Sequence, residues 1–150
     1  MNTKGDTFVT VVKFYDTVAD DLLKFAVILA KSGEEYVFCK HRQRDTWESP
    51  GGHREPGETI EQTARRELYE ETGALSFDLQ PVCAYSVTVP NRSDDQEIFG
   101  MLYFAQIHSF EPQLHSEIEK IRKTSALPDR WTYPDTQLAL LRQAQRRGFC

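Results

Sequence analysis

Apolar and polar positions along the chain form several short β-type runs, one strongly amphipathic helical stretch in the middle and a second helical stretch near the end. Residues 8–15 are rich in β-branched and aromatic side chains and predict a strand. Runs 22–30 and 36–41 are joined by Lys31-Ser32-Gly33-Glu34-Glu35, most simply a hairpin. Runs 77–89 and 98–107 predict another strand pair around the polar connection 90–95. A helix is expected over 134–147, where Leu138, Leu140 and Leu141 make an apolar face. Strands with one central and one terminal helix fit an α/β layer fold in a single domain, residues 1–150.

The central helix has both ends marked. Thr59 and Gln62 have the spacing of a capping box, Glu61 in the first turn complements the macrodipole, and Gly73 is the natural left-handed C-cap. At about 100° per residue from Ile60, Ala64 and Leu68 continue an apolar stripe. Glu71 falls near 20° and Glu67 near −20° on that wheel, with Glu70 about 60° further round. Two of three carboxylates therefore point toward the face that should meet the core. Arg66 and Glu70 form an i,i+4 pair of the kind a solvated helix carries, but Glu67 and Glu71 are like charges at the same spacing and repel. A hard divalent cation with oxygen ligands removes the conflict, and Mg²⁺ suits a site of few carboxylates completed by substrate phosphates.

Before this helix, Pro50-Gly51-Gly52 and Pro56-Gly57 break regular structure and let backbone approach a ligand. Gly52, Glu58, Arg66, Glu67, Leu68, Glu70, Glu71 and Gly73 together resemble the signature of the Nudix hydrolases. Ala74 departs from it, standing where the family prefers Ile, Leu or Val, and Leu75 is expected to fill that apolar role. The stretch 47–52, Trp-Glu-Ser-Pro-Gly-Gly, resembles the strand and loop that enter this motif in MutT-like members.

The resemblance implies a Nudix α/β/α sandwich, a mixed sheet between helices. It implies that Glu67, Glu70 and Glu71 ligate Mg²⁺, or Mn²⁺ as a substitute, with the Gly52 carbonyl as a further ligand. Arg66 would orient the carboxylates and Glu58 would brace the loop. The implied reaction is hydrolysis of a nucleoside diphosphate linked to a further group; a nucleoside triphosphate would give a monophosphate and pyrophosphate, with metal charge assisting substitution at phosphorus. The general base is a motif glutamate or a distal one. Glu117 and Glu119 are the distal candidates, on one side of an extended segment if alternation holds, with a solvated edge as the plainer reading. Lys40, Arg42 and Arg44 either contact phosphates or form a polar strand end.

For the substrate, Trp47 and the turn 131–135 resemble MutT-like hydrolases of oxidised purine triphosphates such as 8-oxo-dGTP. There, an Asn or Asp near the final turn reads the purine, which makes Asp135 a candidate; capping of the last helix is the alternative. Hydrolysis of dinucleoside polyphosphates or other nucleotide conjugates, and nucleotide sensing without cleavage, are the competing functions.

Composition narrows the class further. One hundred and fifty residues suffice to bury roughly 68 to 70% of the unfolded surface. A formal charge of −5 argues against a nucleic-acid polymer as partner, while a small nucleotide is compatible with cations carrying its phosphates. The N-terminus lacks an apolar signal core and no run is long enough to span a bilayer, so a cytoplasmic monomer or homodimer is expected. Cys39, Cys83 and Cys150 make no disulfide framework and suit a reducing compartment. A Cys39–His41 pair could in principle serve a metal or a nucleophile, but it lies in a strand-like run without a partner motif.

Overall fold

The computed structural model describes residues 10–88, 96–112 and 118–149, without the side chains of residues 118–120 and 122. Its centre is a seven-stranded mixed sheet. The strands are β1 (Val11–Tyr15), β2 (Leu23–Ser32), β3 (Glu35–His41), β4 (Gly51–His53), β5 (Ala74–Thr88), β6 (Ile98–Phe110) and β7 (Ile118–Thr124). They run in the order β1-β5-β6-β2-β3-β7, with β4 also paired to β2. Only β2 and β6 are parallel, with Val27 opposite Leu102. The expected 31–35 hairpin is present and turns at Gly33, φ 61°. The second expected pair is β5 with β6, longer at the helix end because β5 begins directly after Gly73.

Two helices cover the sheet, α1 (Ile60–Thr72) and α2 (Pro134–Arg146). Successive strand side chains point to opposite faces, so one sheet supplies two cores. Ala26, Ile28 and Ala30 of β2 join Tyr103, Ala105 and Ile107 of β6 beneath Ile60, Ala64 and Leu68 of α1. Leu29, Leu102, Cys83 and Tyr85 face the other way, onto Leu140, Leu141 and Ala144 of α2. Several alanines on the α1 side, Ala26, Ala30 and Ala105 among them, let that helix lie close to the sheet.

The ends of α1 form as the sequence predicts. Gln62 N–H donates to Thr59 Oγ1 at 3.1 Å, Thr59 N–H donates to Gln62 Oε1 at 2.9 Å, and Gly73 adopts φ 77°. Two expectations are corrected. Leu75 does not replace the missing apolar residue: it is 54% exposed, whereas Ala74 is buried in the α1 core. Strand alternation turns residue 74 inward, and the close approach of α1 accommodates only a small side chain there. Nor does Asp135 cap α2. Tyr133 is the N-cap, Pro134 opens the helix, and Asp135 sits in the first turn, where its charge complements the macrodipole.

Among the described residues, no helix is long and apolar enough to cross a membrane. The packing at position 74 sets a stability prediction. Ala74→Leu should cost about 1–3 kcal/mol by overpacking, and Leu75→Ser should stay within about 0.5 kcal/mol, both read from urea unfolding.

Candidate active site

The site grows from the junction of β4, the loop after it and α1. Gly51 pairs with Val27 and Gly52 with Ala26 across the β2–β4 ladder. A Cβ at Gly51 would stand 2.4 Å from the Ala26 carbonyl oxygen, and one at Gly52 would stand 1.9 Å from Glu67 Oε2. Glycine is therefore required at position 51 by backbone, whereas at position 52 a side chain would displace the Glu67 carboxylate. Gly51 N–H donates to Glu71 Oε1 at 2.8 Å, which fastens the loop to the last turn of α1.

The wheel places the carboxylates as the structure does. Glu71 is buried, Glu67 is largely covered, and Glu70 is the more open of the three. Arg66 stands at their edge. Its guanidinium grips both oxygens of Glu58, and Nη2 also donates to the His53 carbonyl at 3.0 Å. Nη1 reaches Glu67 at 3.1 Å and Glu70 at 3.3 Å. Glu58 further accepts the Thr63 hydroxyl at 2.8 Å and Glu55 N–H at 3.0 Å. The Arg66 guanidinium holds the Glu58 carboxyl at a pKa of about 2, so this brace keeps its charge well into acid. Glu67 behaves in the opposite way. Burial first, and then the charge of Glu71, push it up to about 7 against the pull of Arg66.

His41 completes the cluster at the end of β3. Its Nε2 lies 2.8 Å from Glu48 Oε1 and 3.4 Å from Glu71 Oε2. The hydrogen bond with Glu71 raises the His41 pKa, while burial raises that of Glu48. Arg44 Nη1 stands 3.6 Å from Glu48 Oε2 and 3.4 Å from the Tyr133 hydroxyl. Cys39 and His41 do not form a reactive pair. Cys39 is buried, its Sγ contacts the Glu48 carbonyl, and burial drives its pKa well up, the reverse of an activated thiol.

Beside the carboxylates opens a cavity of about 400 Å³ on the α2 side of the sheet. Phe25 and Tyr85 give it an aromatic wall, Gln137 and Tyr133 border it from α2, and Gly52 and Glu71 join it to the signature helix. Two polar groups on its wall stand out. Gln137 is 7% exposed and its Oε1 accepts Ser49 N–H at 2.9 Å, which fixes the amide so that Nε2 is the end left over. Tyr85 is 1% exposed. Neither that amide nitrogen nor the Tyr85 hydroxyl has a hydrogen-bond partner among the described residues.

Of the residues singled out in the sequence, Arg44 lines the cavity, whereas Trp47, Lys40, Arg42 and Asp135 do not. Trp47 bridges to Trp131 through backbone and flanks the site. The backbone of Glu119 lies in a β-bulge opposite Lys40 and His41, which interrupts strand alternation, and Glu117 lies outside the described residues. Sequence reasoning missed Glu48 and Gln137. Gln137 had a readable signal, since it precedes Leu140, Leu141 and Ala144 by three, four and seven residues and is thus a polar residue on an apolar stripe.

The donors suit a hard divalent cation, for they are carboxylates and a backbone carbonyl, and Gly52 is moulded against Glu67. Among the described residues no group of three or more His, Cys, Asp or Glu side chains is arranged to hold a metal ion. Mg²⁺ commonly takes only one or two protein carboxylates and fills its remaining positions with waters and substrate phosphates, so the absence of such a group is compatible with it.

Glu67 gives a pH prediction. Its folded pKa near 7 exceeds the ordinary 4.5, so its contribution to stability is full below about 4.5 and is lost as pH rises through 7. In metal-free protein the stability difference should therefore shift in favour of Glu67→Gln between those pH values, measured by thermal unfolding across the range. A flat difference would contradict the buried, charge-crowded environment.

The NUDIX domain family matches residues 22–146. A Bacillus subtilis (strain 168) protein provisionally named 8-oxo-dGTP diphosphatase YtkD is 32% identical over 68% of this chain and 61% of its own length. A second provisional 8-oxo-dGTP diphosphatase of that organism is 32% identical over 49% of this chain and 48% of its own. The chain thus spans about half to three-fifths of these curated relatives. In fold it is similar to the Bacillus subtilis pyrophosphohydrolase BsRppH, with TM-score 0.76, 24% identity and coverage of 94% and 92% of the two chains. With the signature positions from Gly52 to Gly73 on the loop and helix just described, the chain belongs to the NUDIX domain family.

Proposed function

We propose that this protein is a Mg²⁺-dependent hydrolase of a nucleoside diphosphate linked to a further group, and that its substrate is an oxidised purine nucleoside triphosphate, released as monophosphate and pyrophosphate. One observation carries the reading: Glu71 of α1 borders an aromatic cavity whose wall carries two buried polar groups that have no hydrogen-bond partner among the described residues. The provisional names of the two curated relatives favour the same substrate class. Retention of every signature carboxylate favours catalysis over nucleotide sensing.

Glu67, Glu70, Glu71 and the Gly52 carbonyl would hold the ion, which supplies positive charge where phosphoryl oxygens gain negative charge. Arg66 bridges Glu67 and Glu70 through Nη1 and is itself anchored by Glu58, so the carboxylates are oriented before substrate arrives. Arg44 at the cavity wall is placed for the phosphate chain, and Phe25 and Tyr85 offer faces and edges to a base. Base reading passes from Asp135 to Gln137. Because Ser49 N–H occupies its oxygen, Gln137 presents only donors to the cavity, which match carbonyl oxygens of an oxo-purine and oppose an exocyclic amine. We assign the proton acceptor to Glu119, since the backbone of β7 at that residue runs along Lys40 and His41, or to Glu117, which lies outside the described residues.

Pyrophosphate release should require Mg²⁺ or Mn²⁺ and stop in excess EDTA. Glu70→Gln should lower kcat by on the order of a hundredfold. If the distal assignment is right, Glu119→Gln or Glu117→Gln loses kcat while keeping metal affinity; wild-type rates in both return the base to the signature helix.

Selectivity is tested separately by kcat/KM. The order 8-oxo-dGTP, dGTP, dATP is expected, and Gln137→Glu, which keeps an acceptor for Ser49 but reverses polarity toward the cavity, should narrow the gap between oxo- and amino-purines by about tenfold or more. A preference for a dinucleoside polyphosphate over all three would move the substrate to that class.

A further inference from the structure

We infer that His41, clamped by Glu48, is a positioning residue for Glu71, holding that carboxylate where it can share a cation with the Gly52 carbonyl. The inference deepens the proposed function and rests on its assignment of a metal to the signature carboxylates.

The local sequence explains how the clamp forms. Cys39 N–H donates to the Glu48 carbonyl at 2.9 Å and Glu48 N–H returns the bond to the Cys39 carbonyl at 3.1 Å, so the two residues are directly opposed. Opposed residues share a sheet face, and His41, two residues beyond Cys39, lies on that face as well. The Glu48 side chain is thereby delivered to the imidazole.

Burial then gives the arrangement its consequence. Glu48 is 7% exposed and Glu71 is 9% exposed. Two covered carboxylates this close would turn away from each other, because charge without a partner is costly where water is excluded. The imidazole stands between them, nearer to Glu48 at 2.8 Å than to Glu71 at 3.4 Å. Glu71 is thus bracketed, with Gly51 N–H on Oε1 and His41 on Oε2, and each oxygen keeps a further lone pair for a ligand. Gly51 alone fixes one oxygen and leaves the carboxylate free to rotate about that contact. His41 supplies the second point that fixes its plane.

The test is Mn²⁺ affinity of the whole protein, followed by the electron paramagnetic resonance of free Mn²⁺, with unfolding curves to confirm that each variant is folded. His41→Leu and His41→Asn should weaken binding by about tenfold or more, as loss of a group that orients a ligand does. His41→Gln extends an N–H to the position of Nε2 and should stay within about threefold of wild type. A role confined to folding would lower stability without moving affinity in this order. Wild-type affinity in folded His41→Leu or His41→Asn overturns the inference and leaves the metal assignment standing, as does equal weakening in all three variants. A wild-type protein that binds no Mn²⁺ overturns the metal assignment and this inference together.

Discussion

Glu67 and Glu71 lie four residues apart on the face of α1 that meets the sheet, and most of the site is a response to that crowding. Water is too scarce there to screen two carboxylates, so the surrounding chain must orient or neutralise them. Arg66 approaches Glu67 from the outer edge and His41 approaches Glu71 from β3. Gly51 gives Glu71 a backbone amide, and Gly52 removes a side chain that would otherwise occupy the space of the Glu67 carboxylate. Even so, Glu67 is left with a pKa far above that of an ordinary glutamate. The fold tolerates this cost in a place where a cation would remove it.

The sheet makes such a site possible by serving two purposes with its two faces. Toward α1 it offers alanines, which draw the helix close and set its carboxylates against the β4 loop. Toward α2 it offers Phe25, Tyr85 and other bulky side chains, which hold α2 far enough away to leave a cavity. Ser49 and Gln137 then tie the two layers together across the sheet edge. The carboxylates and the cavity are adjacent because β4 and its loop touch both.

Local physics made the central helix legible in the sequence. The capping box, Gly73 and the inward tilt of Glu67 and Glu71 all depend on residues within a few positions of one another. Strand pairs were legible for the same reason, as runs with a turn between them. What escaped were contacts across long separations. His41 reads as one more polar residue until the Cys39–Glu48 pairing puts a carboxylate beside it. Gln137 is set by a backbone amide 88 positions away. Leu75 and Asp135 were misjudged for a different reason. Each had a plausible local role, but strand alternation exposed the first, and α2 opens at Pro134 and so takes the second into its first turn.

The parallel pairing of β2 with β6 also constrains how the chain acquires its shape. Val27 must find Leu102, whereas the β2–β3 hairpin and α1 close over short distances. Joining β6 is therefore one of the entropically expensive closures, and non-local pairings of this kind slow folding. Until β6 is in place, α1 lacks Tyr103, Ala105 and Ile107 beneath it, and its carboxylates stay more hydrated. On the ribosome, the helix that carries the signature emerges well before the strand that completes its burial, so dehydration of its charges must wait for that strand.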